Sequence, residues 1–305
     1  MSERLADHAG RLLAELADGA PELWALDGDL ADSDGAIHFA ERHPRRFLMA
    51  GIAEQNMVSM AAGMAEAGLR PFVFSFAAFL CYRAYDQIRV CVSQCRQPVT
   101  LVGSHAGGLG GRNGKSHVAL NDLALMLSLP NLRVWAPADV PDVELALRSI
   151  VAERAPAYLR LPRRPIGRAD DLPGAAAECR WLTPPRPVAL VSTGLATHWA
   201  LAAARALAER DLNVGVLHAL RLSPPEALAA AAAPLRRAVV IEDHYAFGGL
   251  ASLLQQAAPA ARVTAVGWPP DWSGQSGGDE ALLEAGGLST ARLVERVARH
   301  LAADH

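Results

Sequence analysis

The sequence predicts an α/β protein with two doubly wound domains, each on a mostly parallel sheet. Three observations predict it. Short apolar, β-branched runs alternate with longer helix-periodic stretches, the signature of strand–helix–strand units. A proline- and arginine-rich stretch, 162–186, interrupts that alternation once and reads as a linker. The chain has 305 residues, enough for two ordinary cores.

In the first unit, 1–161, strands are expected at 23–26, 71–75, 99–103, 133–136 and 157–161. Helices are expected near 54–67, 78–95, 119–128 and 139–154. Met57, Met60, Ala61 and Met64 recur at helical spacing and form an apolar stripe. Pro141 falls in the first turn of its helix, where proline is tolerated. In the second unit, 187–305, strands are expected at 188–191, 214–217, 239–242 and 263–266. Helices follow near 197–210, 224–232, 248–258 and 289–303. Ser223 ahead of Pro224 reads as an N-cap. The glycine-rich tract 273–278 reads as a surface loop.

Composition excludes several classes. The net charge is −3, which gives no bulk attraction to nucleic acid or an anionic membrane. No apolar run is long enough to span a bilayer, and the N-terminus lacks the basic-then-apolar pattern of a signal peptide. Four cysteines make no disulfide framework in a chain of this size. Cys91 and Cys95 lie i, i+4 without a second pair or a nearby histidine. They read as buried structural thiols rather than metal ligands. The expected location is cytoplasmic.

The chemistry-bearing segment is Gly51-Ile52-Ala53-Glu54-Gln55-Asn56-Met57. It puts a glutamate at a strand-to-helix junction, where open α/β sheets keep their ligand crevice. The alternative is a glutamate that merely complements the helix dipole. Phe76, Phe79 and Tyr82 follow at i, i+3, i+6, as an aromatic wall or a core stripe. His105 and His117 bracket a glycine-rich, flexible loop, 107–114, and are candidates for hydrogen bonding and proton transfer.

The glutamate segment resembles the signature of the transketolase family's pyrimidine-binding domain. The resemblance continues in order through Phe74-Ser75-Phe76-Ala77-Ala78-Phe79-Leu80, Arg83-Ala84-Tyr85-Asp86-Gln87-Ile88-Arg89, Gly103-Ser104-His105-Ala106-Gly107 and Gly114-Lys115-Ser116-His117. Asp122-Leu123-Ala124-Leu125-Met126, Leu129-Pro130-Asn131 and Pro137-Ala138-Asp139 follow. Beyond the linker, Glu242-Asp243-His244 and Gly248-Gly249-Leu250 resemble the family's C-terminal domain. The resemblance therefore implies a thiamine diphosphate pyrimidine-binding domain at 1–161 and a transketolase C-terminal domain at 187–305.

It further implies a site. Glu54 would activate the cofactor as a buried, proton-sharing carboxyl group at the pyrimidine N1′, with Phe76, Phe79 and Tyr82 enclosing the ring. His105 and His117 would sit over the thiazolium and the donor ketose. Asn113 stands where many transketolases carry aspartate, aimed at the donor's C2 hydroxyl; the amide keeps the shape but loses the charge. Arg163 and Ser33 would hold a sugar phosphate, an arginine doing so bidentately. Ala6 stands where the family often has arginine, with Arg4 a possible replacement. Asp29 is either near the thiazolium and substrate or a plain turn aspartate. Asp243 and His244 are expected to be structural, and Gln275 carries no role.

The resemblance also implies a missing half. Relatives bind the cofactor's diphosphate through a metal, using a Gly-Asp-Gly motif followed by an asparagine-containing segment. The nearest string here, Asp27-Gly28-Asp29-Leu30, has no partner downstream, so no metal ligands are assigned to this chain. Magnesium or calcium would be held by an N-terminal partner subunit in an α2β2 heterotetramer. The implied function is ketol transfer from a ketose, expected to be phosphorylated, to an aldose. Other readings are a 2-oxo acid dehydrogenase β-like subunit, a biosynthetic enzyme delivering a glycolyl unit to an unusual sugar or carrier, and a degenerate partner-binding subunit.

Overall fold

A computed structural model describes residues 3–166 and 172–302. Residues 167–171, within the predicted linker, and 303–305 lie outside the described residues. Two sheets with flanking helices make an α/β fold. The first orders its strands Arg221–Ser223, Arg133–Trp135, Ala157–Pro162, Thr100–Ala106, Arg70–Phe76, Leu23–Asp27 and Phe47–Met49. All neighbours are parallel except Arg221–Ser223, which pairs antiparallel at the edge. Strands covered on both faces are mostly apolar, and Arg70–Phe76, apolar but for Arg70 and Ser75, is buried at every position.

The chain runs from Leu23–Asp27 to Phe47–Met49 on one side, then crosses to Arg70–Phe76 on the other. That reversal leaves a crevice beyond the carboxyl ends of Leu23–Asp27 and Arg70–Phe76. The second sheet repeats the pattern. Its order is Arg262–Trp268, Arg237–Tyr245, Val188–Ser192, Gly215–Ala219 and Cys179–Trp181. Val188–Ser192 comes first in the parallel set, with its successors on opposite sides.

Four details differ from the expectation. Residues 179–181, read as linker, form the antiparallel edge of the second sheet. Residues 221–223, from the second half, close the edge of the first sheet, so the halves share an element. Arg221 fixes that crossing: it pairs with Glu153 at 2.8 Å and Glu178 at 2.6 Å, and stacks over Trp135. Ser223 thereby ends a strand and makes no side-chain cap to helix Glu226–Ala232. The expected 78–95 helix is interrupted at Ala84 and continues as Tyr85–Gln87 and the π-helical Ile88–Gln94. No proline or glycine marks that break in the sequence.

In helix Glu54–Glu66, Met57 and Ala61 are buried with Val58, Ala62 and Ala65, while Met60 faces outward. Cys91 is half-buried and Cys95 exposed, because Cys95 falls in the turn just past Gln94. Burial of these two thiols was thus wrongly expected. Among the described residues, no group of three His, Cys, Asp or Glu side chains is arranged to hold a metal ion. No helix there is long and apolar enough to cross a membrane.

Candidate active site

The crevice collects the loops that follow the central strands of the first sheet. Glu54 opens helix Glu54–Glu66, reached after Phe47–Met49 through Gly51 at φ 74°. Its side chain is 3% exposed. A buried, unpartnered carboxylate costs several kcal/mol, and here Arg83 Nη1 donates to Glu54 Oε1 at 2.8 Å. The Arg83 guanidinium also lies 4.0 Å over the Phe79 ring centroid. Ile52, Glu54, Asn56 and Arg83 line a cavity of about 550 Å³.

Phe76, at the end of strand Arg70–Phe76, and Phe79, in the helix Ala77–Arg83 that follows it, stack with centroids 5.6 Å apart. His105 lies flat on Phe76 at 3.9 Å, and His117 meets the Phe79 ring edge-on at 5.0 Å. Burial, reinforced by Arg163, Arg4 and His117, pushes His105 down to about 3. Burial and Arg83 also lower His117. Neutral imidazoles each offer one donor and one acceptor. His105 Nδ1 sits 3.2 Å from Ser104 Oγ, and His117 Nδ1 sits 2.8 Å from Ser116 Oγ. His105 holds φ 54°, an uncommon backbone state that clusters at functional sites.

Past His105 lies a second cavity, of about 390 Å³. Arg4, Ser33, Phe76, His105, Asn113 and Arg163 line it, joined by Leu109, Arg164 and Asp279. Arg4 is aimed by a two-point bond to Asp7 (2.8 and 2.7 Å) and donates to Ser33 O at 2.7 Å. Ala6 is buried two residues on, where a Cβ on Gly35 would come within 2.1 Å of its carbonyl oxygen. Arg4, not position 6, therefore supplies the basic group. Four predicted residues line neither cavity: Phe79 and His117 join the linings through ring contacts, whereas Asp29 and Tyr82 do not. Asp29 is exposed at φ 72°, and Tyr82 is 43% exposed with its hydroxyl donating to Asn121.

Sequence reasoning missed Arg83, Arg164, Leu109 and Asp279 as site residues. Arg83 had a legible signal, since it falls i+4 from Phe79 on a predicted helix. Asp279 had none, because it comes from the second sheet's side of the molecule.

A transketolase pyrimidine-binding domain matches residues 4–167, more than half of the chain. The chain belongs to the transketolase family. A transketolase C-terminal domain matches residues 178–293. A putative transketolase C-terminal section of Methanocaldococcus jannaschii is 30% identical over 94% of this chain and 93% of its own length. A putative transketolase family protein of Sinorhizobium fredii is 33% identical, covering 94% of this chain and 86% of its own length. Human transketolase is 34% identical, but only 41% of it is covered. The solved structure described as a split gene transketolase, an inactive β4 tetramer, matches at TM-score 0.84 and 30% identity over 98% of both chains. Campylobacter jejuni transketolase shares the fold at TM-score 0.83 and 17% identity, over 47% of its length.

Transketolase domains imply dependence on thiamine diphosphate, and the residues present fit it. A buried carboxylate faces a cavity beside an aromatic wall, and that wall runs on to an arginine-lined end.

Proposed function

We propose that this chain is the C-terminal subunit of a split transketolase, transferring a two-carbon ketol unit from a ketose to an aldose. The carrying observation is a continuous line of groups: Glu54, Arg83, Phe79, His117, Phe76, His105 and Arg163. Its two ends suit the two ends of the reaction. Glu54 holds a proton at the pyrimidine N1′. Phe76 and Phe79 keep water from the ring. His117 and His105, neutral at pH 7, hydrogen-bond the donor's oxygens and carry its hydroxyl proton. Arg163, Arg4 and Ser33 bind the donor's anionic terminus, and Asn113 presents its amide to the donor. Thiamine diphosphate, when bound, supplies the carbon nucleophile and electron sink for breaking and remaking the carbon–carbon bond.

The cofactor's diphosphate and its magnesium or calcium ion fall to an N-terminal partner, in an α2β2 assembly. Three matches support the split: the Methanocaldococcus section, the split-gene structure, and the 41% coverage of human transketolase. The donor's anionic group is phosphate or a similar oxyanion. A Clostridium relative named 6-deoxy-6-sulfo-D-fructose transketolase subunit, 33% identical over 245 residues, supports a sulfonated donor as the second reading.

The test is co-expression with the N-terminal partner and an assay of ketose cleavage with thiamine diphosphate and magnesium. Wild type should be active only as the complex. Full activity of Glu54→Gln in that complex would overturn the role of Glu54. Tight cofactor binding by this chain alone would overturn the split.

A further inference from the structure

The loop from Gly107 to Gly114 carries Asn113 and joins His105 to His117. It is held from the second sheet. Gly108 N donates to Asp243 Oδ1 at 2.8 Å, and Trp268 Nε1 donates to the same oxygen at 2.7 Å. Asp243 is 2% exposed near the end of Arg237–Tyr245. Its own carbonyl accepts from Arg160 Nη2 at 2.8 Å, and Arg160 is locked to Asp122 at 2.7 Å. The carboxylate is therefore placed by both halves of the molecule.

The glycines of the loop answer to this contact. A Cβ on Gly107 would lie 1.8 Å from Asp243 Oδ2, and one on Gly108 would lie 2.2 Å from the Trp268 ring. Farther along, Gly277 N donates to Gly111 O at 3.0 Å, and a Cβ on Gly114 would lie 2.7 Å from Ser276 Oγ. Close approach, together with positive φ at Gly107, Gly111 and Gly114, calls for glycine here. The tract 273–278 is accordingly a clamp on this loop as well as a surface segment.

We propose that Asp243 is a positioning residue of the donor site: through Gly108 and Trp268 it fixes the Gly107–Gly114 loop, and with it Asn113 and the two histidines. The second domain is then a wall of the active site. This rests on reading those residues as the donor site. Carboxylates are expensive to bury, so one that only packed would gain nothing over an apolar side chain. One that accepts two N–H groups from separate segments sets their spacing.

The experiment uses the reconstituted two-subunit enzyme with Asp243→Ala, Asp243→Asn and Trp268→Phe. Asp243→Ala should lower donor kcat/KM on the order of 100-fold, mostly through donor KM, as expected for a displaced binding loop. Thiamine diphosphate affinity should stay at the wild-type value. Asp243→Asn keeps Oδ1 as an acceptor and should recover most of the loss. Trp268→Phe keeps a ring but removes one donor, and should cost about ten-fold; it serves if Asp243→Ala fails to fold. Hydrogen exchange should show the Gly108 amide losing protection in step with donor kcat/KM. Variants that lose this protection or thermal stability yet keep wild-type donor kinetics overturn the proposal. An inactive wild-type complex overturns the functional reading instead, and unchanged Gly108 exchange in the variants would then remove the clamp itself.

Discussion

Glu54 and Glu242 are the two buried glutamates among the described residues: Glu54 opens the helix that follows Phe47–Met49, and Glu242 lies within strand Arg237–Tyr245, ahead of helix Leu250–Ala257. Glu54 faces a cavity and has one side-chain partner, Arg83. Glu242 is fully buried and turns onto its own helix, Leu250–Ala257, accepting from Leu250 N at 2.7 Å and Ala251 N at 3.3 Å. Gly249 leaves room for it, since a Cβ there would lie 2.2 Å from Glu242 Oε2. A helix N-terminus at a switch point is an anion site. In the second sheet the chain's own carboxylate fills it. In the first, Glu54 begins the helix itself, and its buried carboxylate turns to Arg83 and the cavity. Burial alone therefore does not separate the two glutamates; the difference lies in where each carboxylate points.

The largest effect that would sharpen this contrast is at Glu54. In the assembled enzyme, Glu54→Gln should cut ketol transfer by roughly 10²–10⁴-fold, with the urea unfolding midpoint unchanged. Glu242→Ala should do the reverse. It leaves two helix amides without their acceptor and should cost about 2–3 kcal/mol in urea unfolding, with kcat/KM per folded molecule at the wild-type level. If Glu242→Ala also lost activity beyond its folded fraction, the contrast would break.

Arg83→Met comes next. It removes the donor to Glu54 while keeping apolar contact with Phe79, and activity should fall about ten-fold. Unchanged activity would make Arg83 a bystander.

The remaining effects are in pH, and their signs oppose. Burial pushes Glu242 up to about 7 from its ordinary 4.5, against the pull of the Leu250 and Ala251 amides and Arg160. The folded state then binds this proton more tightly, so its stabilisation is lost as pH rises from 4.5 through 7. His105, lowered to about 3 from 6.5, is held neutral in the folded state. The unfolded chain takes that proton more readily, so stability is lost as pH falls from 6.5 toward 3. Unfolding midpoints across pH should show wild type losing ground to Glu242→Gln on the alkaline side and to His105→Phe on the acid side. Parallel curves would refute both assignments.

Some of the site was legible because its signals are local. Phe76 and Phe79 do stack, as their i, i+3 spacing allows, and Glu54 does open its helix. Arg4 was readable only as an option beside Ala6. Tyr82 fits the aromatic spacing but lies beyond the stacked pair, because the helix rotates it toward Asn121. The loop's glycines were legible but their contacts were not: Gly107 and Gly108 lie against Asp243 and Trp268, and sequence does not say which neighbours a glycine admits.

By itself, the sequence determined the alternation of strand and helix, the buried strands, and the order of the residues that resemble transketolase. The first two rest on periods of 2 and 3.6, which neighbouring residues set between them; the third rests on the motifs themselves. Only the tertiary structure decided that Arg83 meets Glu54 across 29 positions, that Asp243 meets Gly108 across 135, and that 221–223 joins the first sheet. Those approaches depend on where whole elements pack, and no local pattern encodes them.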